Sequence, residues 1–412
     1  MVQKERAFLQ EISQSTPEEL IEKVSHADIQ EERLLRIYLG SSQFDVIRSI
    51  AARTRGLGEA PLGNVAVLHG IMGGELSLFN NDNGSLIWVQ ALRLLSGQFD
   101  RLTIDANGLS DRDVRATGIY MRFYGSLLVS LSQQWKVRPF FFDWRRDIAI
   151  AADELNQNMN TWFGPDQPVH LVAHSMGGLV ARSFITRHQD RWNKRGRLVM
   201  LGTPNYGSFA MPRLLSGNDV LAMVAKIDFS HNALDLLNVA KTFPGAYQML
   251  PFRGHLDGLD ALYRAATYTR TAIDESLIDK AVTFQASIAN TIDPVRMVYV
   301  AGYNRPTLAG LQDATQLAVD AGYFFSRKGD GTVPHNLGLL QGVRTFYVDE
   351  EHMNLPGNGK VQKALTELLQ TGDLQTEDLL YKGLGPEFAN QRLSRRREPE
   401  RDVGGAGRPI VH

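Results

Sequence analysis

Val169-His170-Leu171-Val172-Ala173-His174-Ser175-Met176-Gly177-Gly178 is an apolar run that passes through a small-x-Ser-x-Gly turn into an amphipathic stretch reaching His188. Apolar residues on both faces suit a buried strand, and the stretch after the turn suits a helix. A turn this tight needs almost no side chain two residues before and two after the serine, and Ala173 and Gly177 meet that demand. Ser175 would then project at the C-terminal edge of a sheet, with a helix N-terminus behind it that favours developing negative charge. The competing reading is an ordinary strand-to-helix turn in which Ser175 caps the helix.

Working outward, short apolar runs recur on either side of this stretch: Val65 to Leu68, Pro139 to Phe142, Leu198 to Leu201, Met297 to Val300 and Thr345 to Val348. Longer helical patterns such as Arg146 to Phe163 lie between them, which is the alternation expected of a mostly parallel central sheet with helices on its faces. From Asn205 to about Asn290 the strand rhythm stops. Leu234, Leu237, Val239 and then Leu259, Leu262, Tyr263 recur at helical spacing, so 205–290 reads as a helical cap inserted after a strand.

Residues 1–60 read as a small helical segment. Thr16-Pro17-Glu18-Glu19 combines an N-cap, a proline at the first helical position and a capping-box glutamate. Helices are also expected over Glu31 to Tyr38, stopped by Gly40, and over Phe44 to Arg53. This segment reads as a small helical module or as a docking arm for a partner or a second copy. The main domain spans 61–375, and 376–412 form a tail that becomes a basic, flexible linker from Arg392 through Gly404-Gly405-Ala406-Gly407.

The 412 residues carry 44 Lys plus Arg against 45 Asp plus Glu, a formal charge of −1 that gives no general attraction for nucleic acid or an anionic membrane. There is no cysteine, so disulfides, thiolate metal sites and a Cys nucleophile are excluded and the chemistry falls to oxygen and imidazole. Neither a metal nor a cofactor is expected. The opening MVQKERAFLQEIS lacks the apolar core of a signal peptide, and the expectation is a cytoplasmic protein.

A nucleophilic serine needs a base and a carboxylate that orients it. Among His188, His231, His255, His335, His352 and His412, only His352 stands in a loop just after the last strand run and before a helix from about Gly359. His188 falls on the helix of the turn itself and His412 in the tail. For the acid, Asp330 in Gly329-Asp330-Gly331 leads, with Asp349, Asp293 and Asp313 as competitors. The oxyanion would be held by the N–H of Met176 and one from His69-Gly70-Ile71-Met72-Gly73-Gly74, with Ile71 the choice.

In this order, VAVLHGIMGG with Trp88 downstream, FFDWRRD, VHLVAHSMGGLVAR, LGTPNYGS, FPGAYQMLP, AGYNRPT, GDGTVP and the late His352 resemble the lecithin:cholesterol acyltransferase-like branch of α/β-hydrolase lipases, its bacterial members in particular. The resemblance covers roughly Asn64 to Gly372. It implies an α/β-hydrolase fold, Asp330 as the triad acid, a cap over an acyl-chain pocket, and transfer of an acyl group from a lipid-like ester to water or an alcohol. Lipid contact would be transient and run through the cap. Without cysteine or a signal peptide the chain departs from the secreted animal enzymes, so lipoprotein substrates are not implied. His69, His174, Trp144 and Arg145 read as braces of the site, and Phe229, Leu236, Leu237, Phe243 and Tyr247 as cap core.

Overall fold

The computed structural model describes residues 3–54, 61–80, 83–88, 99–105, 107–110, 112–217, 233–270, 272–376 and 380–396. Phe229, His231, His412 and the Gly404 to Gly407 run lie outside them.

Helices α1 (Gln3–Gln14), α2 (Pro17–His26), α3 (Ile29–Leu39) and α4 (Ser41–Thr54) come first. The Thr16 side chain accepts from Glu19 N–H and the Glu19 carboxylate accepts from Thr16 N–H, so the capping box is formed. Asp28 and Glu31 make a second one, and Gly40 ends α3 at φ 82°. Strands β1 (Asn64–Leu68), β2 (Gly74–Asn80), β3 (Asn83–Trp88) and β4 (Val114–Ile119) lead to α5 (Met121–Ser132) and β5 (Lys136–Phe140). Then follow α6 (Ile148–Phe163), β6 (Val169–His174), α7 (Met176–Arg187) and β7 (Leu198–Leu201). The 205–290 region carries α8 (Ala210–Leu215), α9 (Ala233–Ala240), α10 (Pro244–Gln248) and α11 (Glu275–Ile288). Strands β8 (Met297–Gly302), β9 (Thr307–Leu311), β10 (Tyr323–Ser326) and β11 (Arg344–Val348), then α12 (Gly359–Thr371), complete the ordered body.

The six apolar runs read from the sequence are the six strands of one parallel sheet, in the order β11-β8-β7-β6-β1-β5. This is the α/β-hydrolase arrangement. The run at Pro139 to Phe142 is strand only to Phe140, because Phe142 N–H turns from the ladder to His69 Nε2 at 3.1 Å. Two smaller sheets escaped the sequence reading: β3-β2-β4 and the β9–β10 hairpin, both antiparallel. In β2 the polar Glu75 and Ser77 are as buried as Leu76 and Leu78, so no polar face advertises the strand.

Successive strand residues point to opposite faces of the sheet, and two cores result. Ala66, Leu68, Leu171, Ala173, Met200 and Tyr299 belong to one, together with α6, α7 and the cap residues Leu236, Phe243 and Tyr247. Val65, Val67, Val172, Val199, Val300 and Phe346 belong to the other, shared with α5, α12 and the first helices through Leu20, Leu35, Phe44 and Ile47. Much of the apolar stripe of the N-terminal helices is therefore buried within the molecule, as a helical module would bury it. Likewise Arg392 to Ser394 do not open a free linker: Ser394 pairs with Phe325 on β10, and the Gln391 side chain accepts from Arg327 N–H.

Glu75 shows how tightly the first helices are fitted. Its carboxyl is fully buried, receives the Tyr38 hydroxyl from α3, and burial pushes its pKa up from 4.5 to about 7. Between those values an unfolded chain has lost a proton that the folded protein keeps, so this group's contribution to stability falls as pH rises through about 4.5 to 7. Glu75→Gln should flatten that part of the profile: the melting temperature of the native protein should drop more between pH 5 and pH 8 than that of the variant, by a few degrees. Equal drops would remove Glu75 as the cause.

Candidate active site

The chain reverses its direction of travel across the sheet at β1. It goes from β1 to β5 on one side, whereas β6 lies on the other and leads on to β7. Loops leaving β1 and β6 therefore diverge and open a crevice at the C-terminal ends of the strands, the usual binding place in such sheets. Leu68 lies opposite Ala173, which brings the next residues, His69-Gly70 and His174-Ser175, level with each other. A Cβ built on Gly70 would stand 2.7 Å from Ser175 Cβ.

Ser175 adopts φ 54° and ψ −126°, a conformation costing about 1–3 kcal/mol for a non-glycine residue and held only where the surroundings over-determine it. Here Ser175 N–H donates to Leu201 O at 2.9 Å, and its carbonyl accepts from Gly178 at 3.0 Å. The side chain makes no capping bond to α7. It donates instead to His352 Nε2 at 2.9 Å, which decides against the simple helix-cap reading. Gly177 is as constrained as the turn argument required, since a Cβ there would lie 2.6 Å from His69 O and 3.0 Å from Leu68 Cβ. Ala173 is fully buried on β6.

His352 follows β11 and opens a short 3-10 turn. Its Nδ1–H donates to Asp330 Oδ2 at 2.8 Å, and its backbone N–H donates to Asp330 O at 2.9 Å. The other carboxylate oxygen of Asp330 accepts from Thr332 N–H at 3.0 Å and Val333 N–H at 2.7 Å, so the acid is fixed by four bonds. Between β8 and Asp330 the β9–β10 hairpin carries the chain back beside Gly302 of β8. Gly202, at φ 57°, lets the three groups close up: a Cβ there would sit 2.9 Å from Asp330 Oδ2 and 3.1 Å from His352 Nδ1.

Among the described residues, the competing candidates have other partners. Asp349 binds Arg305 at 2.6 Å and Asn304 at 2.8 Å, Asp293 binds Arg296 and Trp192, and Asp313 binds Thr315 and Gln316. His188 pairs with Asp153, His255 with Asn336 O and His335 with Gly302 O.

The two backbone donors expected for an oxyanion belong to Met176, which follows Ser175, and to Ile71, in the turn after β1. Met176 is the first residue of α7, a position whose N–H has no intrahelical acceptor. Gly70 to Gly73 form a tight turn with Met72 at φ 62°, and Gly70 O accepts from Gly73 N–H at 3.0 Å and His69 Nδ1–H at 2.7 Å. With that carbonyl held, the N–H of Ile71 on the opposite edge of the same trans peptide is held too. His69 stays neutral because burial lowers its pKa to about 4, and it stacks on Phe142 at 4.1 Å.

Behind the site, Trp144 Nε1–H donates to Gly74 O and packs edge-on against Phe243 of the cap, and Arg145 pairs with Asp143 and donates to Leu102 O. The 205–290 region is tied to α7 by Arg182, a buried guanidinium that donates to Ile288 O, Thr291 O and Asn205 O. Two of those carbonyls lie at and just beyond the C-terminus of α11, the end of a helix dipole that favours a cation.

Residues 132–363, more than half of the chain, match the family described as lecithin:cholesterol acyltransferase. A lysosomal phospholipase A and acyltransferase from Canis lupus familiaris is 28% identical over 160 residues, which is 32% of this chain and 38% of that protein. The chain thus spans well under half the length of this relative. Among solved structures, the Tle4-Tli4 complex contains a chain of the same fold, 15% identical, with a TM-score of 0.50 over 76% of this chain and 100% of that one. The mature lipase BlEst2 from Bacillus licheniformis is 14% identical with a TM-score of 0.37, over 76% of this chain and 95% of that one.

Gly177→Val should cost more than about 2 kcal/mol, since neither the His69 carbonyl nor Leu68 can move without shifting β1. The measurement is soluble yield and melting temperature; a variant that expresses and melts like the native protein would mean that the turn has room the structure denies it.

Proposed function

This chain belongs to the lecithin:cholesterol acyltransferase family, and from that premise we propose that it is a serine esterase or lipase, cleaving a lipid-like carboxylic ester through Ser175, His352 and Asp330. The observation that carries the proposal is the unbroken line of hydrogen bonds from Ser175 Oγ through both nitrogens of His352 to a carboxylate that is itself fixed by backbone donors.

In the proposed sequence His352 Nε2 takes the Ser175 proton as Oγ attacks the ester carbonyl, and the charge on the carbonyl oxygen is received by Met176 and Ile71 N–H groups. Collapse of the tetrahedral species expels the alcohol, which takes its proton from His352, and leaves an acyl-enzyme. Water, deprotonated by His352, then attacks the acyl carbonyl and frees the acid, with the proton returning to Ser175. An alcohol in place of water would complete an acyl transfer. Asp330 keeps His352 in the Nδ1–H tautomer and stabilises the imidazolium.

The apolar cap supports a lipid-like acyl group. Leu236, Leu237, Phe243 and Tyr247 are buried in one core with Met176, while Leu234 on the same α9 is half exposed, and contact with a lipid surface is assigned to this side. No helix among the described residues is long and apolar enough to cross a membrane.

A fluorophosphonate probe should label the native protein at Ser175 and leave Ser175→Ala unlabelled, folded and without turnover on a p-nitrophenyl ester. Retained turnover in Ser175→Ala would end the proposal. For the acid, Asp330→Asn should lower turnover by several orders of magnitude, on the order of 10⁴ in the best-studied triad, and Asp349→Asn should leave it within about tenfold. The reverse ranking would transfer the role to Asp349.

A further inference from the structure

Both backbone groups of His352 are anchored. Its N–H donates to Asp330 O, and its carbonyl lies 3.0 Å from His174 Nε2. A carbonyl can only accept, so His174 carries its proton on Nε2. His174 Nδ1 lies 2.8 Å from the Tyr124 hydroxyl, and that hydroxyl oxygen already accepts from Gly70 N–H at 2.9 Å. With one proton available on the phenol and none on Nδ1, Tyr124 must donate to His174. Every direction in the chain is then fixed: Gly70 N–H to Tyr124, Tyr124 O–H to His174, His174 Nε2–H to His352 O.

We propose that Tyr124 and His174 are positioning residues for this site, a one-way hydrogen-bond chain that holds the backbone of the base and the oxyanion loop in a single fixed relation to the nucleophile. The inference rests on the esterase reading above. Four separate segments meet in it: the loop after β1, the first turn of α5, the residue immediately before Ser175, and the turn after β11 that carries His352. Tyr124 and His174 are both buried, so water does not compete for these bonds. Burial also keeps the His174 imidazole neutral, well below the usual histidine range. That matters because its ring centroid is 4.8 Å from that of His352, and a charge on His174 would oppose formation of the imidazolium that the mechanism requires.

Removing the Tyr124 hydroxyl takes the acceptor from Gly70 N–H and the donor from His174 Nδ1. The second loss frees His174 to move its proton to Nδ1, which would break its bond to the His352 carbonyl. Tyr124→Phe should therefore lower kcat for a short p-nitrophenyl ester about ten- to hundredfold, as expected for lost preorganisation at a reacting centre, with KM nearly unchanged. The matched control is Tyr323→Phe, which removes a buried hydroxyl donating to Leu317 O at 2.8 Å on β10, away from the site. It should lower the melting temperature by a similar amount and leave kcat within about twofold. Equal kcat in the two variants would overturn the proposal.

A measurement on the unmutated protein holds even if Tyr124→Phe fails to fold. Nitrogen-15 NMR of labelled histidines, with His174 assigned by the loss of its signal in His174→Gln, should find a neutral ring at pH 7 with the proton on Nε2. A proton on Nδ1, or a charged ring, would overturn the chain outright. A failure of the esterase reading is recognised separately, because Ser175→Ala would then keep its turnover.

Discussion

Parallel pairing of β1 with β6, with Leu68 opposite Ala173, is the constraint from which the rest of the site follows. Because side chains alternate along a strand, slipping this register by one residue would turn the apolar residues of either strand to the wrong core and separate Gly70 from Ser175. The register is protected from both sides. Val65, Val67 and Val172 are buried toward α5 and the N-terminal helices, and Ala66, Leu68, Leu171 and Ala173 toward α7 and the cap. A sheet buried on both faces has no inexpensive alternative pairing, so the two loops that leave it are fixed before any polar contact forms between them.

On this base the polar contacts are arranged so that strain and charge are confined to a few atoms. Ser175 is held in an unfavourable backbone conformation by its ladder bond to Leu201 and by the start of α7. The histidines beside it, His69 and His174, are both buried and neutral, each with one nitrogen donating and the other accepting. His352, its ring 4.8 Å from that of His174, has a buried carboxylate at its Nδ1.

The two faces of the sheet serve different ends. On one, α1 to α4 close over α5 and deliver Tyr38 to Glu75 on the strand immediately after the Gly70 to Gly73 turn. On the other, the 205–290 region extends the core of α6 and α7, and Arg182 ties α7, the helix that follows Ser175, to the end of α11.

The sequence by itself determined the sheet, the tight turn at Ser175 and the place of His352. Six strands buried on both faces leave uninterrupted apolar runs, the Ala173-x-Ser175-x-Gly177 spacing leaves room for only one kind of turn, and His352 was set apart by its place after the last strand. Those are local properties, written in consecutive residues. Asp330 was legible only through family resemblance, since Gly-Asp-Gly is a common turn; the β9–β10 hairpin and the diversion of Asp349 to Arg305 and Asn304 were tertiary facts. Two further outcomes also depended on the folded molecule. The N-terminal helices present an apolar stripe whether they cover their own domain or another protein, and only packing shows that they cover their own. Tyr124 carries no signal in its neighbourhood, because the hydroxyl's partners, Gly70 and His174, lie 54 and 50 residues away in the chain. A hydrogen bond across such separations is specified by where helices and strands come to rest, and no pattern of adjacent residues encodes it.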